Sequence, residues 1–138
     1  FVSAFNSYST AAITNGQGVN WDFVTDSDGV GVTMPLARAT NAGVAAAGVV
    51  ASASIAAGAY GLIQVYGYHS AVRYRSVTVG TPAIAKGTPL FMNVAGSVFC
   101  LESASTASTV ILKFPMGFSL STNASFTTLA RAAFIKAL

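Results

Sequence analysis

Residues 60–69, YGLIQVYGYH, alternate in side-chain character with a period of two. One side of an extended chain carries three tyrosines and two other large residues: Tyr60, Leu62, Gln64, Tyr66 and Tyr68. The other side carries glycines, two aliphatic residues and the single histidine: Gly61, Ile63, Val65, Gly67 and His69. A period of two is typical of a β-strand that has one face on a core. We therefore expect a strand here, with Ile63 and Val65 turned inward.

Short strands and turns are expected over much of the remaining chain. WDFV and VGVTM flank DSDG, and an Asp-Gly turn between β-forming segments predicts a hairpin. A strand is expected around Gly48–Ala53, with a short helix as the alternative, and TVILKF predicts a central strand over 109–114. The tail predicts a closing strand, with a helix over Leu129–Leu138 as the alternative. The fold class is therefore all-β, as a single small β-sandwich or barrel-like domain.

The first 20 residues mix aromatic side chains with Ser, Thr, Asn and Gly and show no sustained period. We expect an extended N-terminal arm over residues 1–20 and one β domain over residues 21–138, with a folded N-terminal strand as the alternative to the arm. Exposed aromatic residues in either form suit docking on a neighbouring protein. The candidate contact residues in the arm are Phe1, Phe5 and Tyr8, and Trp21 and Phe23 are further candidates just after it.

The chain is poor in charge. Only 8% of its 138 residues are charged, against about 25% in an ordinary globular protein. Charged residues keep a monomer dispersed in water, so a surface this poor in charge predicts extensive contact with other protein. The seven cations are scattered rather than clustered, and we expect no direct binding to nucleic acid.

Residues 39–68 carry no charge and are long enough to cross a bilayer. Much of this stretch is Ala, Gly and Ser, which drive membrane insertion poorly, and its second half alternates as a strand does. We therefore expect no association with a membrane.

The residues that carry chemistry are few. His69 is the only histidine, its neighbour Ser70 falls on the opposite side of a strand, and no nucleophile or phosphate-binding motif accompanies them. Asp22, Asp26 and Asp28 lack the spacing and closing Glu of a calcium loop, so turn formation is the favoured interpretation and an ion site the alternative. We expect no enzyme activity, no catalytic residues, no metal and no cofactor.

The tyrosine side of the strand at residues 60–69 has two interpretations. Tyr60, Tyr66 and Tyr68 would most often cover a half-buried sheet or form a subunit contact, where each ring buries a large area. The alternative is a ligand-binding platform for sugars or bases.

Several segments resemble small virion proteins of tailed bacteriophages. These segments are IAAGAYGLIQVYGYHSAV, AIAKGTPLFM, MGFSLSTN and the final ARAAFIKAL, and the resemblance covers roughly residues 48–138. The shared pattern is a G-x-(I/V)-Q-V-x-G strand, an A-x-G-x-x-L turn and a G-x-(A/S)-L segment. The positions that match it are Gly61, Ile63, Gln64, Val65, Gly67, Ala85, Gly87, Leu90, Gly117, Ser119 and Leu120.

The resemblance implies a capsid decoration, or cement, protein. Such a protein would bind the outer surface of an icosahedral capsid, assembled in the host cytoplasm, and stabilise contacts between major capsid protein subunits. The expected partners are the major capsid protein and further copies of the chain itself, as a homotrimer. The alternatives are another virion component, such as a head fibre base or tail protein, and a carbohydrate-binding β module.

Overall fold

The computed structural model describes residues 1–26, 28–33, 46–75, 84–95, 98–103, 115–123 and 128–137. Ten of its strands close into two five-stranded barrels. The first barrel contains β1 (Val2–Asn6), β3 (Gly18–Trp21), β4 (Gly31–Thr33), β5 (Ala46–Val50) and β7 (Tyr60–Gln64). The second contains β8 (Tyr66–Arg75), β9 (Pro89–Ala95), β10 (Val98–Ser103), β11 (Gly117–Ser119) and β12 (Leu129–Lys136). A small two-stranded sheet pairs β2 (Ile13–Thr14) with β6 (Ser54–Ile55).

The predicted all-β class is confirmed, since none of the described residues is helical. The closing strand is present as β12, and the hairpin is present as β3 and β4, although β3 already ends at Trp21. The first 20 residues do not form a separate arm: β1 is a wall of the first barrel, paired with β4 and β7. The predicted strand over 109–114 lies outside the described residues.

Each barrel has its own hydrophobic core. Val19, Val32 and Ile63 are fully buried in the first core, and Val72, Leu90 and Ile135 in the second. Burying a side chain of this size stabilises a fold by roughly 1.5–3 kcal/mol. The two cores meet at β5, because Val50 belongs to the first and its neighbour Val49 to the second.

The two barrels have the same topology. In each, the first strand of the barrel pairs in parallel with the third and antiparallel with the fifth. The fourth strand lies between the fifth and the second: β5 between β7 and β3, and β11 between β12 and β9. The second strand pairs with the third, as β3 with β4 and β9 with β10. The small β2–β6 sheet also has a counterpart, the bridge between Ile84 and Asn123.

Hydrogen bonds outside the regular ladders match in the same way. Gly16 and Gly87 lie in equivalent turns of the two barrels, with φ of 79° and 84°. Four backbone hydrogen bonds of the first barrel have a counterpart in the second. Gly16 N–Val50 O (2.9 Å) matches Gly87 N–Ser119 O (2.7 Å), and Gln17 N–Thr14 O (3.2 Å) matches Thr88 N–Ala85 O (3.2 Å). Val50 N–Gln17 O (2.9 Å) matches Ser119 N–Thr88 O (3.0 Å), and Ala51 N–Leu62 O (2.9 Å) matches Leu120 N–Ala132 O (2.9 Å). The chain therefore builds one barrel design twice.

Gly48 and Gly117 are equivalent positions in this design. Each lies on the fourth strand of its barrel, where a Cβ atom would meet a backbone carbonyl oxygen of the fifth strand. The distance would be 2.5 Å to Gln64 O from Gly48 and 2.2 Å to Phe134 O from Gly117. Because a backbone oxygen cannot move aside as a flexible side chain can, both barrels require glycine here.

We expect Gly48→Ala and Gly117→Ala each to destabilise the protein by about 3 kcal/mol or more, because both force a strand away from its neighbour. Gly48→Ala should be the costlier of the two, since the φ of 151° at Gly48 adds backbone strain. Chemical denaturation with a linear extrapolation measures this. Gly58→Ala is the matched control, since Gly58 has a φ of 72° but open space around its Cβ position. It should cost only about 1–2 kcal/mol from backbone strain. Unchanged stability in Gly117→Ala would contradict the claim that Gly48 and Gly117 are both packed closely against the fifth strand of their barrels.

Candidate functional site

The outer wall of the first barrel carries an apolar surface, which we call the β1–β7 face: Phe1, Phe5, Tyr60 and Leu62. Phe5 lies directly opposite Tyr60 in the antiparallel pair of β1 and β7, and their rings pack at 5.3 Å between centroids. Phe1 is 72% exposed and Tyr60 is 66% exposed. Rings held on two paired strands lose little further freedom on binding, so this face is preorganised for contact.

The row of large side chains is interrupted at Gln64. This side chain is buried, and its Nε2 atom donates to the carbonyls of Tyr66 (3.1 Å) and Tyr68 (2.9 Å). Gly67, with a φ of 102°, allows the chain to bend at the same point. The predicted alternation is confirmed on either side of Gln64, but Gln64 itself serves the backbone between the two barrels.

The second barrel carries a different outer surface, the β8–β12 face: Tyr66, Tyr68, Phe134 and Lys136. Tyr68 lies opposite Phe134 and Tyr66 opposite Lys136 in the antiparallel pair of β8 and β12. The Tyr66 and Phe134 rings meet edge to face at 5.1 Å. Tyr66 and Tyr68 are 61% and 63% exposed, so this face presents aromatic rings beside a cation.

The turn between β3 and β4 forms a third surface, which we call the acidic tip: Phe23, Val24, Asp26, Asp28 and Val30. Phe23 is 65% exposed and Val24 is 89% exposed. The pKa of Asp26 is raised, chiefly by its hydrogen bond to Asp28, and the pKa of Asp28 is lowered by the same bond. Apolar side chains and the Asp28 carboxyl group therefore project together from the turn, while Oδ2 of Asp26 is buried against Gly31.

Asp22 holds the acidic tip in place. It accepts hydrogen bonds from the Ser7 hydroxyl (2.6 Å), the Thr25 hydroxyl, and the backbone amides of Val24 (3.1 Å) and Thr25 (3.0 Å). Burial alone would raise the pKa of this carboxyl, but these hydrogen bonds outweigh burial and lower the pKa from 3.8 to about 2. Asp22 thus acts in turn formation, as the sequence favoured.

We expect the Asp22 carboxylate to stabilise the fold by roughly 2 kcal/mol above pH 4, because its pKa is lower in the folded chain than in the unfolded chain. This contribution is lost as the pH falls from about 4 towards 2. Denaturation of the wild type and Asp22→Asn between pH 2 and pH 7 measures it, as the difference between the two curves. Asp22→Asn should be less stable near neutral pH and should approach the wild type near pH 2; a constant difference would contradict this origin.

His69 is buried and makes hydrogen bonds with the backbone through both ring nitrogens. The Ala71 amide donates to Nδ1 at 3.1 Å, so Nδ1 is an acceptor. The proton is therefore on Nε2, which donates to the Val50 carbonyl at 3.2 Å. Since Val50 lies in the first barrel and His69 in the second, the imidazole joins the two barrels.

The structure separates the candidate contact residues predicted from sequence. Phe1, Phe5 and Tyr60 come together on one face, Tyr66 and Tyr68 lie on another, and Phe23 lies on the acidic tip. Tyr8 and Trp21 are partly buried against the first core instead. Sequence reasoning missed Leu62, Val24, Phe134 and Lys136. The alternation already placed Leu62 beside Tyr60, whereas Phe134 and Lys136 required the pairing of β12 with β8.

Within the described ranges, no three His, Cys, Asp or Glu side chains are grouped so that they could hold a metal ion. No helix in the part of the chain that the structure describes has the length and apolar character needed to cross a membrane. Comparisons with protein-family models, with curated proteins and with solved structures found no match to this chain.

Proposed function

We propose that this protein is a structural virion component that binds the outer surface of an icosahedral phage capsid and stabilises contacts between major capsid protein subunits. The observation that carries the proposal is the β1–β7 face, where apolar side chains are held exposed on a closed barrel. The phage-like segments and the low content of charged residues support it.

The exposed residues of the β1–β7 face are not needed to build a barrel. Leu62 and Ala132 are equivalent, because their carbonyls accept the matching bonds from Ala51 and Leu120. Two residues earlier, Tyr60 corresponds in the same way to Ala130 on β12. The second barrel therefore closes with alanines where the first has a tyrosine and a leucine. Large apolar side chains that the fold does not require mark a contact surface.

The mechanism would be burial of apolar area across a junction between capsid subunits. Fully burying a Phe or Leu side chain contributes roughly 1.5–3 kcal/mol, and several such contacts oppose the separation of the subunits beneath them. A closed barrel also presents no unpaired strand edge, which keeps many copies on a crowded surface from joining edge to edge. This action requires no catalytic group.

Tyr60→Ala and Leu62→Ala are each expected to weaken binding to capsid shells that lack the protein by about tenfold, or roughly 1.4 kcal/mol, through lost burial. Cosedimentation of purified shells with the protein measures binding, and the melting temperature of the shells measures their stabilisation. Leu120→Ala is the matched control, because Leu120 is also an exposed leucine but lies outside the β1–β7 face. It should bind as the wild type does.

Failure of the wild-type protein to bind shells or to raise their melting temperature would overturn the proposal. Labelled protein that decorates tails or head fibres instead of shells would support the alternative of another virion component. Binding to a glycan array that is lost in Tyr66→Ala would instead support a carbohydrate-binding module.

A further inference from the structure

The two halves of the chain carry opposite charge. Up to residue 65, where the first barrel ends, the sequence has three aspartates and one arginine, a net charge of −2. From residue 66 onward it has six lysines or arginines and one glutamate, a net charge of +5. Two barrels of the same topology have thus acquired opposite electrostatic character, although the chain as a whole has a charge of only +3.

The negative charge is concentrated on the acidic tip. Asp28 is exposed, and the pKa of Asp26 is raised chiefly by its hydrogen bond to Asp28, with burial and repulsion between the two carboxylates adding to the rise. A cation from another surface would offset this repulsion. Because Phe23 and Val24 are exposed on the same turn, a surface that accepts the tip must offer apolar contact as well as positive charge.

The β8–β12 face offers this combination. Lys136 is exposed on β12 directly opposite Tyr66. Tyr66 and Tyr68 supply aromatic surface beside this cation, and buried aromatic residues often dominate the energetics of protein interfaces. Within one chain, the tip and the face are both exposed, so they do not cover each other.

We propose that the acidic tip of one copy of this protein docks on the β8–β12 face of a second copy. The contact joins two different surfaces, so it repeats from copy to copy and closes into a ring when the rotation allows. Phe23 and Val24 pack against Tyr66 and Tyr68, while the exposed Asp28 faces Lys136. The β1–β7 face takes no part, so the assembly does not rest on shell binding and leaves that face available for a capsid.

Sedimentation of the full chain at increasing salt tests the proposal without any shells. The wild type should sediment as an oligomer at low salt and dissociate as salt rises, because the contact includes charge pairs. Lys136→Glu should weaken association by roughly tenfold or more, because an attraction to Asp28 is replaced by repulsion. Lys86→Glu is the matched control: it changes the net charge equally, but Lys86 is exposed in a turn outside the face, so association should persist.

Asp28→Lys should weaken association in the same way, and the double variant Asp28→Lys with Lys136→Glu should recover it, since the reversed charges again attract. Circular dichroism of each variant separates loss of association from loss of folding. A wild-type chain that remains monomeric at about 0.1 mM would overturn the proposal, because its free energy of association would then be weaker than about 5.5 kcal/mol. Equal weakening by Lys86→Glu and Lys136→Glu, or a double variant that fails to recover although folded, would also overturn it.

Discussion

The structure depends on how the chain passes from one barrel into the other. The ladder is interrupted between β7, which ends at Gln64, and β8, which begins at Tyr66, and the carbonyls of Tyr66 and Tyr68 lie at this break. The Gln64 side chain donates to both of them. His69 then bonds to Val50 across the junction, and Arg73 N bonds to Gly16 O at 2.8 Å. Buried backbone groups that lack partners are costly, so these bonds fix the path of the chain.

This junction has consequences for the surface. Because Gln64 turns inward, a row of large side chains that would have been continuous becomes two faces, one on each barrel. The barrels share a topology but not a surface: tyrosine and leucine on β7 stand where β12 has alanines, and the charges are of opposite sign. One framework used twice can therefore present two chemically different surfaces, which suits a protein whose proposed partners are a capsid and further copies of itself.

Much of the architecture could be predicted from local patterns. The alternation over residues 60–69 identified the buried Ile63 and Val65 and the exposed tyrosines, and the Asp-Gly turn identified the β3–β4 hairpin. The separate N-terminal arm was an error, because the pairing of β1 with β4 and β7 is long-range and leaves little signal in a strand of five residues. The repeated barrel was missed for a related reason: its equivalent positions retain few identities, such as Ile13 with Ile84 and Gly48 with Gly117.

The sequence by itself determined the all-β class, the turn at the Asp-rich hairpin and which side of the strand at residues 60–69 is apolar and inward. These follow from backbone preferences and side-chain alternation, which act over a few residues. Tertiary structure alone decided that Gln64 is buried, that His69 joins two barrels, and that Phe5 stacks on Tyr60 while Phe134 meets Tyr66. Each of these contacts joins strands through long-range pairing or a bend in the chain, so only the register and closure of the barrels could specify it.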